Sequence, residues 1–143
     1  MSLVKHENLA PFVDFLGIKV LQQGDDGVET LLPSRSVLEN RKGDIHGGAL
    51  ATLLDTTLGM AARTDLDERA ASSTLTLTVN YLSAARGDLV CSARCIRKGR
   101  SIRFVEGQVT DQKGEVVATA VATFKVFAAR PDSAEGSPSG SVK

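Results

Sequence analysis

A single long run with helical periodicity, residues 46–62, is the feature that most constrains the fold of this chain. Its large apolar side chains, Leu50, Leu53, Leu54 and Leu58, recur at the spacing of one helix face. The other long apolar segments are instead rich in β-branched residues. The pattern predicts one central helix in a chain otherwise built from strands. Because apolar or small residues extend around most of the helix, we expect one sheet to be insufficient to cover it, so that part of it faces a second subunit.

Six strand-like segments accompany this helix and are bounded by turn residues. Two short segments flank the turn GDDG as a hairpin, and four longer segments follow the helix. The six segments are 18–23, 27–33, 74–82, 88–99, 101–111 and 116–127. In the first long segment Leu75, Leu77, Val79 and Tyr81 alternate, which predicts that they share one face. The order predicts an α+β fold in which a six-stranded sheet wraps around one helix.

The length of 143 residues fits one domain with a sizeable core. We expect this domain to cover residues 1–128 and to begin with a short helix at 9–17, which Pro11 suits at its start and Gly17 at its end. Residues 129–143 are small, polar and rich in Pro, Ser and Gly, which predicts a disordered tail.

Charge and composition exclude several classes of function. The 17 basic and 17 acidic residues balance, which argues against a dedicated nucleic-acid binder. No apolar run approaches the roughly 20 residues that span a bilayer, and no secretory signal is recognisable, so we expect a cytoplasmic protein. Cys91 and Cys95 fall about 13 Å apart in one predicted strand and cannot pair with each other. With two histidines and no Cys-x-x-Cys motif, no metal site is expected.

Two glycines, Gly47 and Gly48, stand where the central helix begins. The unsatisfied N–H groups of a helix start can bind an anion or a polarised carbonyl oxygen, and glycine lets a ligand approach the backbone closely. Alternatively, the glycines allow the helix start to pack tightly against the sheet. The residues alone leave both interpretations open.

Asp55 lies among leucines in the same helix. A carboxylate in such surroundings loses water, which makes an unpaired charge costly, and acids of this kind cluster at active sites. The alternative is an aspartate on an exposed stripe, facing Arg63. Gly47 and Asp55 are eight residues apart, or about 12 Å along one helix. That is too far for both to act on one carbonyl group, so if they cooperate they come from two chains, as in an isologous dimer.

The spacing of several polar residues resembles the hotdog-fold acyl-CoA thioesterases, in the branch of the phenylacetic-acid-degradation and thioesterase-superfamily member 2 types. The motif residues are Asn40, His46-Gly47-Gly48, Asp55, Ser73 and the run RKGR at 97–100. The likeness covers roughly residues 12–127 and implies an antiparallel hotdog sheet, a dimer at minimum and a homotetramer by pairing of dimers. It implies an enzyme that releases a free acid and CoA, with no cofactor because CoA is part of the substrate.

The resemblance also implies a role for each motif residue. The Gly47 N–H would polarise the thioester carbonyl group, and Asp55 of the other subunit would be the nucleophile or the general base. Asn40 would help to bind the lytic water or the leaving thiolate, and Ser73 would orient the water or the carboxylate. His46 would hold the loop and the helix start, near the sulfur; a purely structural histidine is the alternative.

The resemblance also implies that the basic turn around Gly99 contacts the phosphates of CoA, through residues among Arg97, Lys98, Arg100 and the nearby Arg103. A solvated hairpin tip is the alternative. Leu54 and Leu58 are expected to line the acyl pocket, where small and apolar side chains suit an aryl group or a medium-to-long acyl group.

Two other functions remain open from the sequence. A hotdog hydratase or dehydratase acting on enoyl thioesters is disfavoured by the spacing of Gly47 and Asp55. A non-catalytic acyl-CoA sensor would keep the pocket and the basic turn but would need no acid at position 55.

Overall fold

In the computed structural model, which describes residues 9–128, two α-helices and six strands follow one another in the predicted order. The elements are α1 Pro11–Leu16, β1 Lys19–Gly24, β2 Gly27–Leu32, a short 3-10 helix Ser36–Leu38, α2 Gly47–Ala61, β3 Ala71–Tyr81, β4 Leu89–Lys98, β5 Ile102–Thr110 and β6 Val116–Phe127. The strands form one antiparallel sheet in the order β1-β2-β4-β5-β6-β3. The predicted α+β hotdog architecture, with a short N-terminal helix, is confirmed.

Helix α2 lies against the inner face of the sheet and contacts every strand from β2 to β6. Its leucines are buried, with Leu53, Leu54 and Leu58 at 0% exposure. The curved sheet thus buries all the leucines of α2 within one chain, and the expectation that another part of the helix faces a second subunit stays a prediction. What stays partly exposed is a stripe of small and polar residues, Gly48, Ala51, Thr52, Asp55 and Thr56.

Strand β3 forms one edge of the sheet and carries a β-bulge. Its register with β6 pairs Thr74 with Phe124 but Thr76 with Thr123, so Leu75 is the extra residue. A bulge shifts the alternation of side chains by one residue. Leu75 is consequently 52% exposed, and the prediction that it shares the face of Leu77 and Val79 is wrong.

The predicted tail at 129–143 lies outside the described residues. Cys91 and Cys95 both lie in β4 as free thiols, as their position in one strand predicts. Burial raises the pKa of the Cys91 thiol to about 12. Within residues 9–128 no helix is long and apolar enough to cross a membrane.

Candidate active site

The start of α2 presents one unused backbone donor. The Gly48 N–H donates to His46 Nδ1 at 2.8 Å, and the N–H groups of Ala49 and Leu50 donate to the His46 carbonyl oxygen. Among residues 9–128, the Gly47 N–H has no hydrogen-bond acceptor. The first turn of a helix also carries a partial positive charge, so this donor suits an oxygen that gains negative charge.

His46 is the N-cap residue of α2. Its backbone N–H donates to the Leu38 carbonyl oxygen at 2.7 Å, which ties the helix start to the 3-10 helix. Because Nδ1 accepts from Gly48, the proton of a neutral ring is on Nε2. The contacts of His46 fit both the holding role that the resemblance implies and a purely structural histidine.

Tyr81, at the end of β3, covers the helix start. Its hydroxyl group donates to the Gly47 carbonyl oxygen at 2.9 Å. A Cβ atom added at Gly47 would lie 3.4 Å from the Tyr81 ring, so the ring and the helix backbone are in close approach. The sequence pattern predicts only a strand face for Tyr81; its pairing with a distant glycine carries no local sequence signal.

Asn40 organises the loop that leads to α2. Its Oδ1 accepts from the backbone N–H groups of Lys42 and Asp44, at 2.9 and 3.1 Å. The buried Asp44 carboxylate in turn accepts from Arg86 Nε at 2.6 Å, which ties the loop to the segment before β4. Within the described part of the chain, the Asn40 Nδ2 group donates to no acceptor and remains a donor for a ligand.

Asp55 lies near the middle of α2 and is held by Thr74 of β3. The Thr74 hydroxyl group donates to Asp55 Oδ1 at 2.7 Å. Ser72 also faces the helix, with its Oγ 3.3 Å from the Gly59 carbonyl oxygen, so Ser73 between them points to the other face of the sheet. The hydroxyl group that orients Asp55 within one chain therefore belongs to Thr74 and not to Ser73, because the bulge at Leu75 shifts the alternation by one residue.

The two halves of the predicted site lie at different levels of one helix. Gly47 is the first residue of α2 and Asp55 is eight residues further on, which corresponds to about 12 Å along the axis. Asp55 also makes no ion pair with Arg63 within residues 9–128. The structure thus keeps Asp55 with Thr74, and Gly47 with His46 and Tyr81.

The basic turn connects β4 and β5 and exposes Arg97, Lys98 and Arg100. Gly99 is required there, since a Cβ atom would collide with the Ile102 carbonyl oxygen. Lys98, Arg103, Phe124 and Thr74 are paired in register across β4, β5, β6 and β3. At about 4.8 Å per strand, the backbone at Lys98 is about 14 Å from that at Thr74, on the same row of the sheet.

Arg103, unlike its neighbours in the turn, is a buried structural residue. It is 5% exposed, its Nη1 contacts Asp65 Oδ1 at 2.7 Å, and its Nε donates to the Gly99 carbonyl oxygen at 2.6 Å. Burial raises the pKa of the Asp65 carboxyl group, but hydrogen bonds from Arg103 and the backbone, with the charges of Arg103 and Lys98, leave that pKa below 3.8. Arg103 therefore anchors the turn and is not available to a phosphate.

Leu54 and Leu58 belong to the core of the chain. Both are 0% exposed, and a Cβ atom added at Gly107 of β5 would lie 2.6 Å from Leu58 Cδ1. Their predicted place in the acyl pocket is therefore wrong for this structure, because the sheet of the same chain covers both side chains. The helix residues left for a substrate are those of the small, polar stripe.

A groove of about 410 Å³ lies on the outer face of the sheet, away from these residues. It is lined by polar side chains such as Ser92, Arg94, Glu106, Gln108 and Thr119, and it contains none of the predicted site residues. Among residues 9–128, no three His, Cys, Asp or Glu side chains are grouped as metal ligands would be.

The family model described as the thioesterase superfamily matches residues 42–118, which include Gly47, Asp55 and the basic turn. The chain belongs to the thioesterase superfamily. A Halobacterium salinarum protein named "Putative esterase VNG_1336C" is 35% identical over 126 residues, which are 80% of this chain and 83% of the relative.

Solved structures agree with this membership. The conserved protein PA5202 of Pseudomonas aeruginosa aligns with a TM-score of 0.75 and 32% identity, over 83% of this chain and 95% of the other. A thioesterase family protein of Silicibacter pomeroyi aligns with a TM-score of 0.78 and 27% identity, over 83% and 90% of the two chains. Membership in the superfamily supports hydrolysis of an ester or thioester as the class of reaction.

Proposed function

We propose that the protein hydrolyses an acyl- or arylacyl-CoA thioester to the free acid and CoA, at sites shared between two subunits. The observation that carries the proposal is the arrangement on α2: an unused Gly47 N–H at its start and the Thr74-bound Asp55 two turns later. An oxyanion donor and a carboxylate are the two groups that hydrolysis of a thioester needs. The match of residues 42–118 to the thioesterase superfamily supports this choice of reaction.

The Gly47 N–H would bind the thioester carbonyl oxygen. When water or Asp55 attacks the carbonyl carbon, this oxygen becomes an oxyanion, and a fixed donor at a helix start stabilises it. Because no acceptor among residues 9–128 uses this N–H, it need not break a hydrogen bond there to do so.

Asp55 would act on the carbonyl carbon in one of two ways. As a general base it takes a proton from water while the water oxygen bonds to the carbon; the C–S bond then breaks and the thiolate of CoA is protonated. As a nucleophile it forms a mixed anhydride and releases the thiolate, after which water hydrolyses the anhydride. In either case the Thr74 hydroxyl group fixes the carboxylate, and Asn40 Nδ2 is a donor for the water or the thiolate.

A dimer would bring the two halves together. Two copies related by a two-fold axis, with antiparallel α2 helices, place Gly47 of one chain near Asp55 of the other, and do so twice. The exposed stripe of α2 lacks bulky side chains, which allows such an approach. Strand β3 is a free sheet edge beside this stripe, and pairing with the β3 of a second copy would cover it. Pairing of two such dimers would give the homotetramer.

The exposed Arg97, Lys98 and Arg100 would contact the phosphates of CoA, which lie at the far end of the pantetheine arm. The separation of about 14 Å between Lys98 and Thr74, along one row of the sheet, leaves room for that arm. Guanidinium and ammonium groups at a solvent-exposed turn suit a flexible, highly charged group.

The test is a panel of acyl-CoA thioesters of different chain length and aromaticity, with free thiol as the readout. Wild-type protein is expected to release thiol from at least one member, and Asp55→Asn to lower kcat by about 10²-fold or more. Binding of acyl-CoA without thiol release would refute the hydrolase and favour a sensor. Near-normal turnover of Asp55→Asn would refute the role of the carboxylate.

A further inference from the structure

Arg63 lies just beyond the end of α2, in the groove between the helix and β3. Its Nη1 donates to the Gly59 carbonyl oxygen and to Ser72 Oγ, both at 2.7 Å. Both partners are neutral groups of the same chain. Burial lowers the pKa of the Arg63 guanidinium.

No carboxylate of residues 9–128 lies within ion-pair distance of Arg63. The other arginine of this region, Arg103, is buried and pairs with the partly exposed carboxylate of Asp65 at 2.7 Å. The end of α2 supplies only a partial negative charge, equivalent to roughly half an elementary charge. The helix end thus explains where Nη1 is anchored, but it offsets only about half of the charge of Arg63.

The remaining donors of Arg63, on Nε and Nη2, lie along one edge of the guanidinium group. Because Nη1 makes both hydrogen bonds, Nε and Nη2 have no acceptor in the described part of the chain, and the residue keeps partial exposure. Nε–H and Nη2–H point in the same direction and match two oxygens of one carboxylate or phosphate group.

The position of this edge relates it to Asp55. Asp55 and Gly59 lie four residues apart on one side of α2, and Arg63 follows four residues later, just past the helix end. Their partners Thr74 and Ser72 alternate on the same face of β3, about 7 Å apart. Because the Arg63 side chain reaches back to Gly59 and Ser72, its guanidinium is about one helical turn from the Asp55 carboxylate. That separation is within the length of one acyl or pantetheine segment.

We propose that Arg63 binds an anionic group of the thioester substrate, a carboxylate or a phosphate, through its Nε–Nη2 edge. This inference rests on the proposed function, because it assigns a specificity residue to the same site. The anion is either a carboxylate at the far end of the acyl chain or a phosphate of CoA.

Kinetics with four thioesters distinguishes the two sources of the anion. The compounds are hexanoyl-CoA, adipoyl-CoA, hexanoyl-3′-dephospho-CoA and the neutral hexanoyl N-acetylcysteamine thioester. Arg63→Gln is expected to raise KM about tenfold or more for the thioesters that carry the recognised anion, and to leave the neutral thioester within about twofold. An effect on adipoyl-CoA alone identifies the acyl carboxylate. An effect on both CoA thioesters but not on the dephospho form identifies the 3′-phosphate, and an effect on all three identifies the diphosphate.

An equal change in KM for all four thioesters, or no change for any, would overturn the proposal. Arg63→Lys, which keeps the charge but loses the two-donor edge, should restore KM only in part. Arg94→Gln on the outer face of the sheet, where Arg94 pairs with Glu106 at 2.7 Å, is the matched control and should change none of the KM values.

Absence of thiol release from every thioester would refute the proposed hydrolysis and not the anion site. Calorimetric titration of wild type and Arg63→Gln with CoA and with adipate then still tests the site. Wild type should bind one of the two about tenfold more tightly than Arg63→Gln does, and equal binding by the two proteins would refute the proposal.

Discussion

At the scale of single residues, Asp55 and Gly47 differ in the contacts that hold them in place. Asp55 is fixed by a side chain, since Thr74 donates to its Oδ1 at 2.7 Å. Gly47 is fixed by the backbone of α2, with His46 capping the helix and Tyr81 closing over it. The orientation of the Asp55 carboxylate can therefore be tested by replacing Thr74. The role of the Gly47 N–H group can be tested only by removing that backbone group.

Replacing Thr74 with Val should lower kcat about tenfold with a smaller change in KM, because the hydrogen bond that orients the Asp55 carboxylate is lost while the side-chain volume is kept. Thr74→Ser keeps the hydroxyl group and should restore most of the activity. Ser73→Ala, one residue away on the other face of β3, is the control. A larger loss in Ser73→Ala than in Thr74→Val would contradict the assignment.

Gly47→Pro removes the proposed oxyanion donor without removing the helix start. Proline suits the first helical position, and His46 already has the extended backbone, φ −58° and ψ 139°, that a residue before proline adopts. Steady-state kinetics should show kcat lower by about 10²-fold or more. Gly47→Ala keeps the N–H and adds only a Cβ atom 3.4 Å from the Tyr81 ring, so its loss should stay below about tenfold. Equal losses in the two variants would mean that the Tyr81 contact, and not the N–H, matters.

At the scale of elements, the sequence predicts α2 and the six strands because their patterns are local. The helix spacing of Leu50, Leu53 and Leu54 and the β-rich segments with their turns need no knowledge of the rest of the chain. The bulge at Leu75 has no such local signal. It is set by pairing with β6, more than 40 residues away, and it alone turns Thr74 rather than Ser73 toward Asp55.

Two further assignments fail for the same reason. The position of Leu58 on the helix does not show whether it lines a pocket or lies in the core, because its burial depends on the close approach of Gly107 of β5. Arg103 is one of several basic residues near a turn, and only the fold shows that it reaches the carboxylate of Asp65. Local patterns thus predict elements, whereas contacts between elements decide which residues are free to act.

The ion pair between Arg103 and Asp65, which anchors the basic turn, should stabilise the fold to an extent that depends on pH. The Asp65 pKa is lower in the folded chain than its ordinary value of 3.8, so its contribution to stability is complete above that pH and disappears as the pH falls through the lowered value. Asp65→Asn should therefore be less stable than wild type at neutral pH, by less than about 1 kcal/mol because the carboxylate is partly exposed. The difference in free energy of unfolding, measured with urea, should shrink toward zero in acid. A difference that grows below pH 3.8 would contradict the depressed pKa.

At the scale of the whole molecule, one chain contains both halves of the proposed site but does not bring them together. Gly47 and Asp55 are separated by about 12 Å of rigid helix, and neither lies in the groove on the outer face of the sheet. Light scattering should give a mass of at least about twice the 15.1 kDa of one chain. A monomer with full activity would contradict a shared site.

The most direct test is complementation between two inactive variants, Gly47→Pro and Asp55→Asn, expressed together in equal amounts. If each site combines Gly47 of one subunit with Asp55 of the other, random assembly makes about a quarter of the sites intact, and thiol release should recover to about a quarter of the wild-type rate. Mixing the two purified variants without subunit exchange is the control and should stay inactive. Co-assembled protein that releases no more thiol than either variant alone would show that the groups do not cooperate across subunits.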